Sequence, residues 1–280
     1  MAVLYVIATP IGNLGDITYR AVRTLSRIEA LACEDTRRTR RIFDHYAIPA
    51  PKTILSYHEH NEEKAGARIL GFLTRGIDVA LASNAGYPGV SDPGYRIISR
   101  AWEEGHEVQV IPGAGAVEAA LVSSGLPTSS YLFRGFPPRK SGRRRRFLAE
   151  ERDAPHTLVL FESPQRVAAT LRDAAAVLGN RMAAVCVELT KKFERVHRGG
   201  LEQLAEQCES KPLRGEVTLV IAGILSLGFL GFVGVDKNLG ELMGQGEEAV
   251  TRLPVDLPQV PGEHPTDWPV AGQDVPPPGQ

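Results

Sequence analysis

One sequence unit recurs three times before residue 117 and constrains the fold more than any other feature. It is a short apolar run followed by a loop of Gly, Pro and small residues: runs 3–8, 79–82 and 108–111, with loops 9–13, 83–88 and 112–116. Such runs are typical of parallel strands buried on both faces, and ligands of open α/β sheets bind beyond the carboxyl ends of the strands. Each turn alone is most often structural, but their repetition predicts a small-molecule cleft at one sheet edge.

Length, charge and cysteine content limit the functional classes. The 280 residues are enough for one large or two medium domains, and the formal net charge of −1 supplies no overall field that attracts nucleic acid. RNA binding would therefore need a local basic patch. The three cysteines are far apart and lack CxxC spacing, which argues against a disulfide framework and a zinc site. Because neither a signal peptide nor a membrane-spanning apolar stretch is visible, we expect a cytoplasmic protein.

Alternation of apolar runs with helical periodicity predicts a mostly parallel sheet covered on both faces in the first half of the chain. There we expect a further strand at 30–33 and helices at 18–28, 37–45, 63–75, 94–104 and 116–124. In the second half we expect strands at 130–133, 157–161, 183–188 and 217–222 and helices at 166–178 and 201–208. The predicted organisation is an α/β domain (1–124), a linker (125–129), a second α/β or α+β domain (130–225) and a proline-rich tail without a packed core (226–280).

The composition of the loops indicates the kind of ligand. None has the GxGxxG spacing of a dinucleotide fingerprint or the GxxxxGK[ST] of a P-loop, which disfavours a phosphate cradle. Loops of low charge, rich in accessible backbone, suit a ligand with a purine, a ribose and an amino-acid moiety. S-adenosylmethionine is one candidate of this kind among several.

An ordered set of motifs gives a more specific indication. It comprises Leu4-Tyr5-Val6-Ile7-Ala8-Thr9-Pro10-Ile11-Gly12-Asn13-Leu14, Glu34-Asp35-Thr36-Arg37, His58-Glu59-His60-Asn61, Ser91-Asp92-Pro93-Gly94, Glu162-Ser163-Pro164 and Glu188-Leu189-Thr190-Lys191-Lys192. Over about residues 4–222 the chain closely resembles the small-subunit ribosomal RNA methyltransferases of the tetrapyrrole methylase superfamily. The resemblance implies a two-domain α/β enzyme, usually a homodimer, that binds S-adenosylmethionine between its domains. The implied reaction is methylation of the ribose 2′-oxygen of a decoding-site cytidine in small-subunit (16S) rRNA.

The resemblance also implies a cofactor site made of the three loops and of residues from the second domain. Its members are Thr9, Pro10, Gly12, Asn84, Gly86, Tyr87, Pro88, Val90, Gly113, Gly115, Ala116, Ser163, Leu189 and Glu216. Two loops depart from the family pattern, which usually has Ser-Asp-Ala-Gly-Thr-Pro at residues 83–88 and Pro-Gly-Pro-Ser-Ala at residues 112–116. Asn84 keeps the size of the usual Asp without its charge, and Gly115 lacks a hydroxyl that could bond the cofactor. These departures predict weaker cofactor binding.

The expected reaction needs alignment of a ribose hydroxyl with the sulfonium methyl group and a base for its proton, and it needs no metal. A carboxylate or a lysine with a depressed pKa could serve, and the candidate catalytic residues are Glu34, Asp35, Arg37, Glu188 and Lys191. The segment from Glu34 to Arg37 could equally be a helix N-terminus. The candidate RNA contacts are His58, His60, Arg139, Lys140, Arg143, Arg144, Arg145 and Arg146, although histidines in a polar loop and runs of charge are usually solvated surface.

Two other functions stay open at this point. One is methylation of a small tetrapyrrole precursor, against which stand the RNA-family motifs and the basic run. The other is a catalytically weak RNA-binding or assembly protein, which the departures at Asn84, Tyr87 and Gly115 favour.

Overall fold

The computed structural model describes residues 2–224, which belong to one compact unit. The strands are β1 (Val3–Ile7), β2 (Ala30–Cys33), β3 (Thr53–Ser56), β4 (Val79–Ala82), β5 (Glu107–Ile111), β6 (Tyr131–Phe133), β7 (Thr157–Glu162), β8 (Met182–Val187), β9 (Arg195–Gly200) and β10 (Val217–Ile221). The helices are α1 (Tyr19–Leu25), α2 (Thr36–His45), α3 (Glu62–Thr74), α4 (Tyr95–Glu103), α5 (Ala116–Ser124), α6 (Ser141–Ala149), α7 (Val167–Leu178) and α8 (Leu201–Ser210). The predicted tail, residues 226–280, lies outside the described residues.

The first sheet has the strand order β3-β2-β4-β1-β5, and all of its pairings are parallel. Every residue of β2 and β4 is buried, as expected for strands covered by helices on both faces. The predicted parallel α/β arrangement is confirmed. The edge strand β3 was missed because its sequence, Thr-Ile-Leu-Ser, is short and only half apolar.

The second sheet has the order β6-β7-β10-β8-β9 and is mixed, since only β6 and β7 pair in parallel. The predicted strands and helices of this half are present, and the sequence prediction omitted β9 and α6. The β9 sequence, Arg-Val-His-Arg-Gly-Gly, lacks an apolar run because the strand lies at the sheet edge. The α6 sequence carries four consecutive arginines, which hid its helical pattern.

A shared hydrophobic cluster joins the two halves of the described chain. α5 contributes Val117, Ala120 and Leu121 to this cluster, and strands β7, β8 and β10 contribute Val159, Ala184, Cys186 and Val220. Burying an aliphatic side chain of this size stabilises the fold by about 1.5–3 kcal/mol relative to exposure. Helix α5, which follows the last strand of the first sheet, is therefore packed against the second sheet. The division into domains 1–124 and 130–225 with a linker at 125–129 stays a prediction.

The described residues contain no helix that combines the length and apolar character needed to cross a bilayer. All three cysteines are buried free thiols.

Candidate active site

The loops after β1, β4 and β5 meet at one edge of the first sheet and are bonded to one another. Thr9 and Gly86 exchange two backbone hydrogen bonds of 2.9 Å each. The Tyr87 hydroxyl donates to the Gly113 carbonyl at 3.3 Å and accepts from the Gly113 N–H at 3.1 Å. These hydrogen bonds join the three loops into a single wall.

A cavity of about 690 Å³ lies between this wall and the second sheet, and we call it the inner cavity. Its volume is typical of small-molecule sites. From the first half of the chain it is lined by Glu34, Asn84, Gly86, Tyr87, Val90, Asp92, Gly115, Ala116 and Glu118. From the second half it is lined by Phe133, Phe136, Phe161, Ser163, Leu189, Glu216 and Thr218. The predicted meeting of the strand-end loops in one cleft is therefore seen in the structure.

An aromatic group forms part of the cavity's second wall. Phe133 and Phe161 meet edge to face with ring centroids 4.7 Å apart, and Phe136 lies 5.6 Å from Phe161. Aromatic surfaces of this kind bind flat apolar rings and attract cations to their faces. The sequence prediction missed them, although each aromatic lies on or just after a strand of the second sheet.

Asp92 is the carboxylate whose acidity the site changes most. Burial raises its pKa to about 6, with added repulsion from Glu34 and Glu216, while a hydrogen bond with Ser83 opposes the increase. A carboxyl group with a pKa near neutrality can accept a proton at physiological pH and release it again. Asp92 was not among the predicted catalytic residues, although the motif Ser91-Asp92-Pro93-Gly94 supported the family resemblance.

The loop that carries Asp92 has little conformational freedom. Gly94 has a φ of +151°, and a Cβ there would lie 2.7 Å from the backbone nitrogen of Gly89. Ser91 adopts a φ of +61°, a left-handed conformation that a non-glycine residue takes at a cost. The Gly89 N–H also donates to the Pro93 carbonyl at 3.3 Å. The tight turn therefore fixes the position from which Asp92 faces the cavity.

Lys191 forms a charged network with two carboxylates from the second half of the chain. Its Nζ donates to Glu188 Oε1 at 2.8 Å and to Glu216 Oε2 at 3.0 Å. Partial burial lowers the pKa of Lys191, but the hydrogen bonds to Glu188 and Glu216 outweigh it, and the net pKa is raised. The bond from Lys191 and the Glu216 N–H lower the pKa of Glu188. The prediction of Lys191 as a base is therefore corrected: it is a cation held between carboxylates.

A second cavity of about 630 Å³ adjoins the first, and we call it the outer cavity. The two share Ile11, Arg38, Asn84, Ala85 and Glu216. The outer cavity is also lined by Pro10, Gly12, Asp35, Arg37, Arg41 and Lys191. Four cationic side chains therefore surround the approach to an inner cavity lined with carboxylates.

Asp35 and Arg37 form the N-terminus of a helix and also lie beside a cavity, so both interpretations of their motif apply. Asp35 is the N-cap of α2 and accepts from the Arg37 backbone N–H at 2.9 Å and from Arg37 Nε at 3.3 Å. These two hydrogen bonds from Arg37, side chain and backbone, lower the pKa of Asp35. Both residues also line the outer cavity, whereas Glu34 lines the inner one.

The predicted cofactor residues fall into three groups. The inner cavity is lined by Asn84, Gly86, Tyr87, Val90, Gly115, Ala116, Ser163, Leu189 and Glu216, and the outer cavity by Pro10 and Gly12. Thr9, Pro88 and Gly113 line neither cavity, and Thr9 and Gly113 belong to the bonded wall. The Asn84 side-chain oxygen is buried and has no hydrogen-bond partner in the described part of the chain.

The predicted RNA contacts line neither cavity, and one of them needs correction. Arg144 is 4% exposed, and its guanidinium pairs with the buried carboxylate of Asp173 at 2.6 Å. It is therefore a buried structural cation that cannot reach a phosphate. Neither His58 and His60, which follow β3, nor the remaining basic residues, Arg139, Lys140, Arg143, Arg145 and Arg146, line either cavity.

Solved structures of low sequence identity share this fold. Uroporphyrin III C-methyl transferase from Thermus thermophilus is 18% identical, with a TM-score of 0.55 over 80% of this chain and 99% of that one. Cobalt precorrin-4 methyltransferase is 16% identical, with a TM-score of 0.59 over 79% of this chain and 94% of that one.

More similar sequences share a single name. Ribosomal RNA small subunit methyltransferase I of Halalkalibacterium halodurans is 45% identical over 79% of this chain and 75% of its own length. The protein of that name from Thermotoga maritima is 40% identical over 80% of this chain and 99% of its own length. The sequence model of the family Tetrapyrrole (Corrin/Porphyrin) Methylases matches residues 3–205. The chain belongs to the tetrapyrrole methylases and, among them, to the ribosomal RNA small subunit methyltransferase I family.

Proposed function

We propose that this methyltransferase transfers a methyl group from S-adenosylmethionine to the ribose 2′-oxygen of a decoding-site cytidine in small-subunit rRNA. The observation that carries the proposal is the pair of adjoining cavities, one acidic and aromatic and the other lined by arginines, which share Asn84 and Glu216. A small cationic cofactor suits the first cavity, and a polyanionic substrate suits the second. The names of the relatives support rRNA as the substrate.

The residues of the inner cavity fit the cofactor of this family. The buried Asn84 oxygen needs a donor, which an amino or hydroxyl group provides. Carboxylates and aromatic faces stabilise a sulfonium cation, and the glycine-rich wall offers backbone groups to a nucleoside. When bound, S-adenosylmethionine supplies an electrophilic methyl group, so the protein needs no metal to activate it.

The chain's own residues then have two tasks. Asp92 accepts the proton of the ribose hydroxyl, because its pKa of about 6 leaves it ionised yet basic at neutral pH. Asn84 and Glu216, which line both cavities, hold the two reactants where the cavities meet. Alignment of this kind can lower the barrier to transfer by about 7–11 kcal/mol.

We also propose that the enzyme acts on the assembled small subunit in the cytoplasm and works as a homodimer. The target ribose must be reachable from the outer cavity, which favours an unpaired nucleotide. The family resemblance supports the dimer, and the solution mass measured against the 30.4 kDa chain tests it.

One observation favours a second substrate class. Arginines around a cavity of about 630 Å³ would also suit the carboxylates of a tetrapyrrole precursor. A catalytically weak RNA-binding protein is the other alternative, and it would lack methyl transfer to either substrate.

The decisive experiment incubates the protein with labelled S-adenosylmethionine and small ribosomal subunits from a strain that lacks this modification. We expect label in the rRNA and one new phosphodiester bond that resists alkaline cleavage, as 2′-O-methylation produces, at a decoding-site cytidine. Parallel reactions contain free rRNA or a uroporphyrinogen. Label only in the tetrapyrrole, or in neither substrate despite cofactor binding, would contradict the proposal.

A further inference from the structure

Helix α2 presents a row of arginines to solvent. One face of the helix buries Thr39, Ile42 and Phe43, which anchor it to the first sheet. The opposite side exposes Arg37, Arg38, Arg40 and Arg41. The charge-rich sequence of α2 therefore forms an ordinary amphipathic helix in which every exposed residue from Arg37 to Arg41 is an arginine.

Two of these arginines differ from the rest in their surroundings. Arg38 and Arg41 are three residues apart, so they lie on the same side of the helix, and both line the outer cavity. Arg37 is paired with Asp35, and Lys191 with Glu188 and Glu216. Within residues 2–224, the side chains of Arg38 and Arg41 make neither an ion pair nor a hydrogen bond. The outer cavity is thus flanked by two cations whose charge the protein leaves uncompensated.

We infer that Arg38 and Arg41 bind the backbone phosphates beside the target nucleotide. This inference rests on the proposed function and identifies the surface that holds the RNA. Arg38 lines both cavities, so a phosphate bound there keeps the adjoining ribose at the opening of the inner cavity. Guanidinium groups match phosphate oxygens with paired N–H donors, and such contacts position a nucleic acid without reading its sequence.

The arginine run on α6 is the competing surface, and the geometry disfavours it. Residues 143–146 line neither cavity, Arg144 is buried, and Arg145 pairs with Asp173 at 2.7 Å. Contacts there would hold RNA without placing a ribose near the cofactor. Substitutions on α2 and on α6 should therefore have different effects on methylation.

The test compares Arg38→Gln, Arg41→Gln and the double variant with the matched control Arg40→Gln. Arg40 is exposed on the same helix and lies outside the outer cavity lining, so its loss removes the same charge from a different side. Each lost phosphate contact should raise the KM for small subunits about tenfold and reduce the log–log salt slope by roughly 0.7–0.9. Arg40→Gln should change neither value. Cofactor affinity, measured by calorimetry, should stay at the parental value in Arg41→Gln and Arg40→Gln, because neither side chain lines the inner cavity.

Arg38→Lys and Arg41→Lys separate charge from structure. If the role is phosphate binding, lysine restores the salt slope while part of the KM defect persists, because its ammonium lacks the paired donors. A parental enzyme that methylates subunits, with a double variant that retains the parental KM and slope, would overturn this inference alone. A parental enzyme that binds cofactor but methylates no subunits would instead refute the proposed function.

Discussion

Asp92 and Lys191 line adjoining cavities, and their surroundings shift their protonation in ways that residue type alone does not reveal. Burial and like charges raise the pKa of Asp92 to about 6, whereas two carboxylates raise the pKa of Lys191 against the effect of burial. The sequence offered both types as possible bases and could not rank them, since charge state depends on neighbours distant in sequence. Glu188, another candidate, is already committed to Lys191 and to the Glu216 N–H.

Asp92→Asn should lower kcat by about 10²–10⁴-fold, the usual share of a general base, with little change in cofactor affinity. In the parent, kcat/KM should rise with pH through about 6 and then level off, because only ionised Asp92 accepts a proton. The decrease in kcat/KM at acidic pH should be absent from the residual activity of Asp92→Asn. A parental pH profile that is flat between pH 5 and 7 would assign the base elsewhere.

The same pKa predicts that ionisation of Asp92, which supports activity, lowers the stability of the fold. The folded-state pKa of Asp92, about 6, lies above its ordinary value of 3.8, so folding favours the protonated carboxyl. That contribution is fully present below about pH 3.8 and is lost as pH rises through 6. Asp92→Asn, which is always neutral, should therefore have a higher Tm than the parent at pH 8 and a smaller advantage at pH 4. A lower Tm at pH 8 would mean that the ionised carboxylate makes stabilising contacts.

Tyr87 and Gly115, both departures from the family pattern, are neighbours in the structure. A Cβ at residue 115 would lie 3.8 Å from the Tyr87 ring, and the Tyr87 hydroxyl braces the Gly113 backbone. Tyr87 therefore occupies space beside Gly115, and its hydroxyl adds two hydrogen bonds to the wall. Sequence alone treats the two changes as separate losses, because their contact is visible only in three dimensions.

At the level of elements, α6 depends on one buried acid of α7. Asp173 accepts from Arg144 Nε at 2.8 Å, from Arg145 Nε at 2.7 Å and from Ser141 Oγ at 3.0 Å. Burial tends to raise the pKa of Asp173, but the bonds from Arg145, Ser141 and Arg144 lower it overall. The arginine run therefore has a structural role: it fastens α6 to α7.

Asp173→Ala should destabilise the protein by about 3–5 kcal/mol, because it leaves the Arg144 guanidinium buried without its counter-ion. The control Arg143→Ala removes an exposed arginine of the same helix and should change the free energy of unfolding by less than about 0.5 kcal/mol. Urea denaturation measures both values. Equal, small decreases in the free energy of unfolding of the two variants would show that α6 is held by apolar packing alone.

Elements with an apolar run were predictable, including the edge strands β5 and β6, whereas edge strands without such a run were not. β2, β4 and α5 follow directly from buried Ala, Leu and Val patterns, and the structure has them at the predicted residues. β3 and β9 are edge strands whose exposed faces remove the pattern on which the prediction depends. The loops of the site were found because small residues follow buried strands, whereas its aromatic wall comes from pairing in the second sheet.

At the scale of the whole molecule, the cleft and the hydrophobic core are made by the same packing. α5 begins at Ala116, which lines the inner cavity, and its Leu121 is buried among residues of the second sheet. Because residues of both sheets surround the cavity, a bound cofactor contacts both and favours only the arrangement in which they are packed together. Cofactor binding and cohesion of the two halves should therefore be coupled.

This coupling predicts that the described residues unfold in a single thermal transition and that bound cofactor raises its Tm. At a concentration of S-adenosylmethionine 100-fold above its Kd, binding should add about 2.7 kcal/mol to the free energy of unfolding. For a folded region of this size that corresponds to a rise in Tm of roughly 5–10 °C. Calorimetry with and without cofactor measures this rise, and Arg40→Gln should show it in full because Arg40 does not line the inner cavity. Two transitions, with only one shifted by cofactor, would show that the halves unfold independently and that one sheet alone holds the ligand.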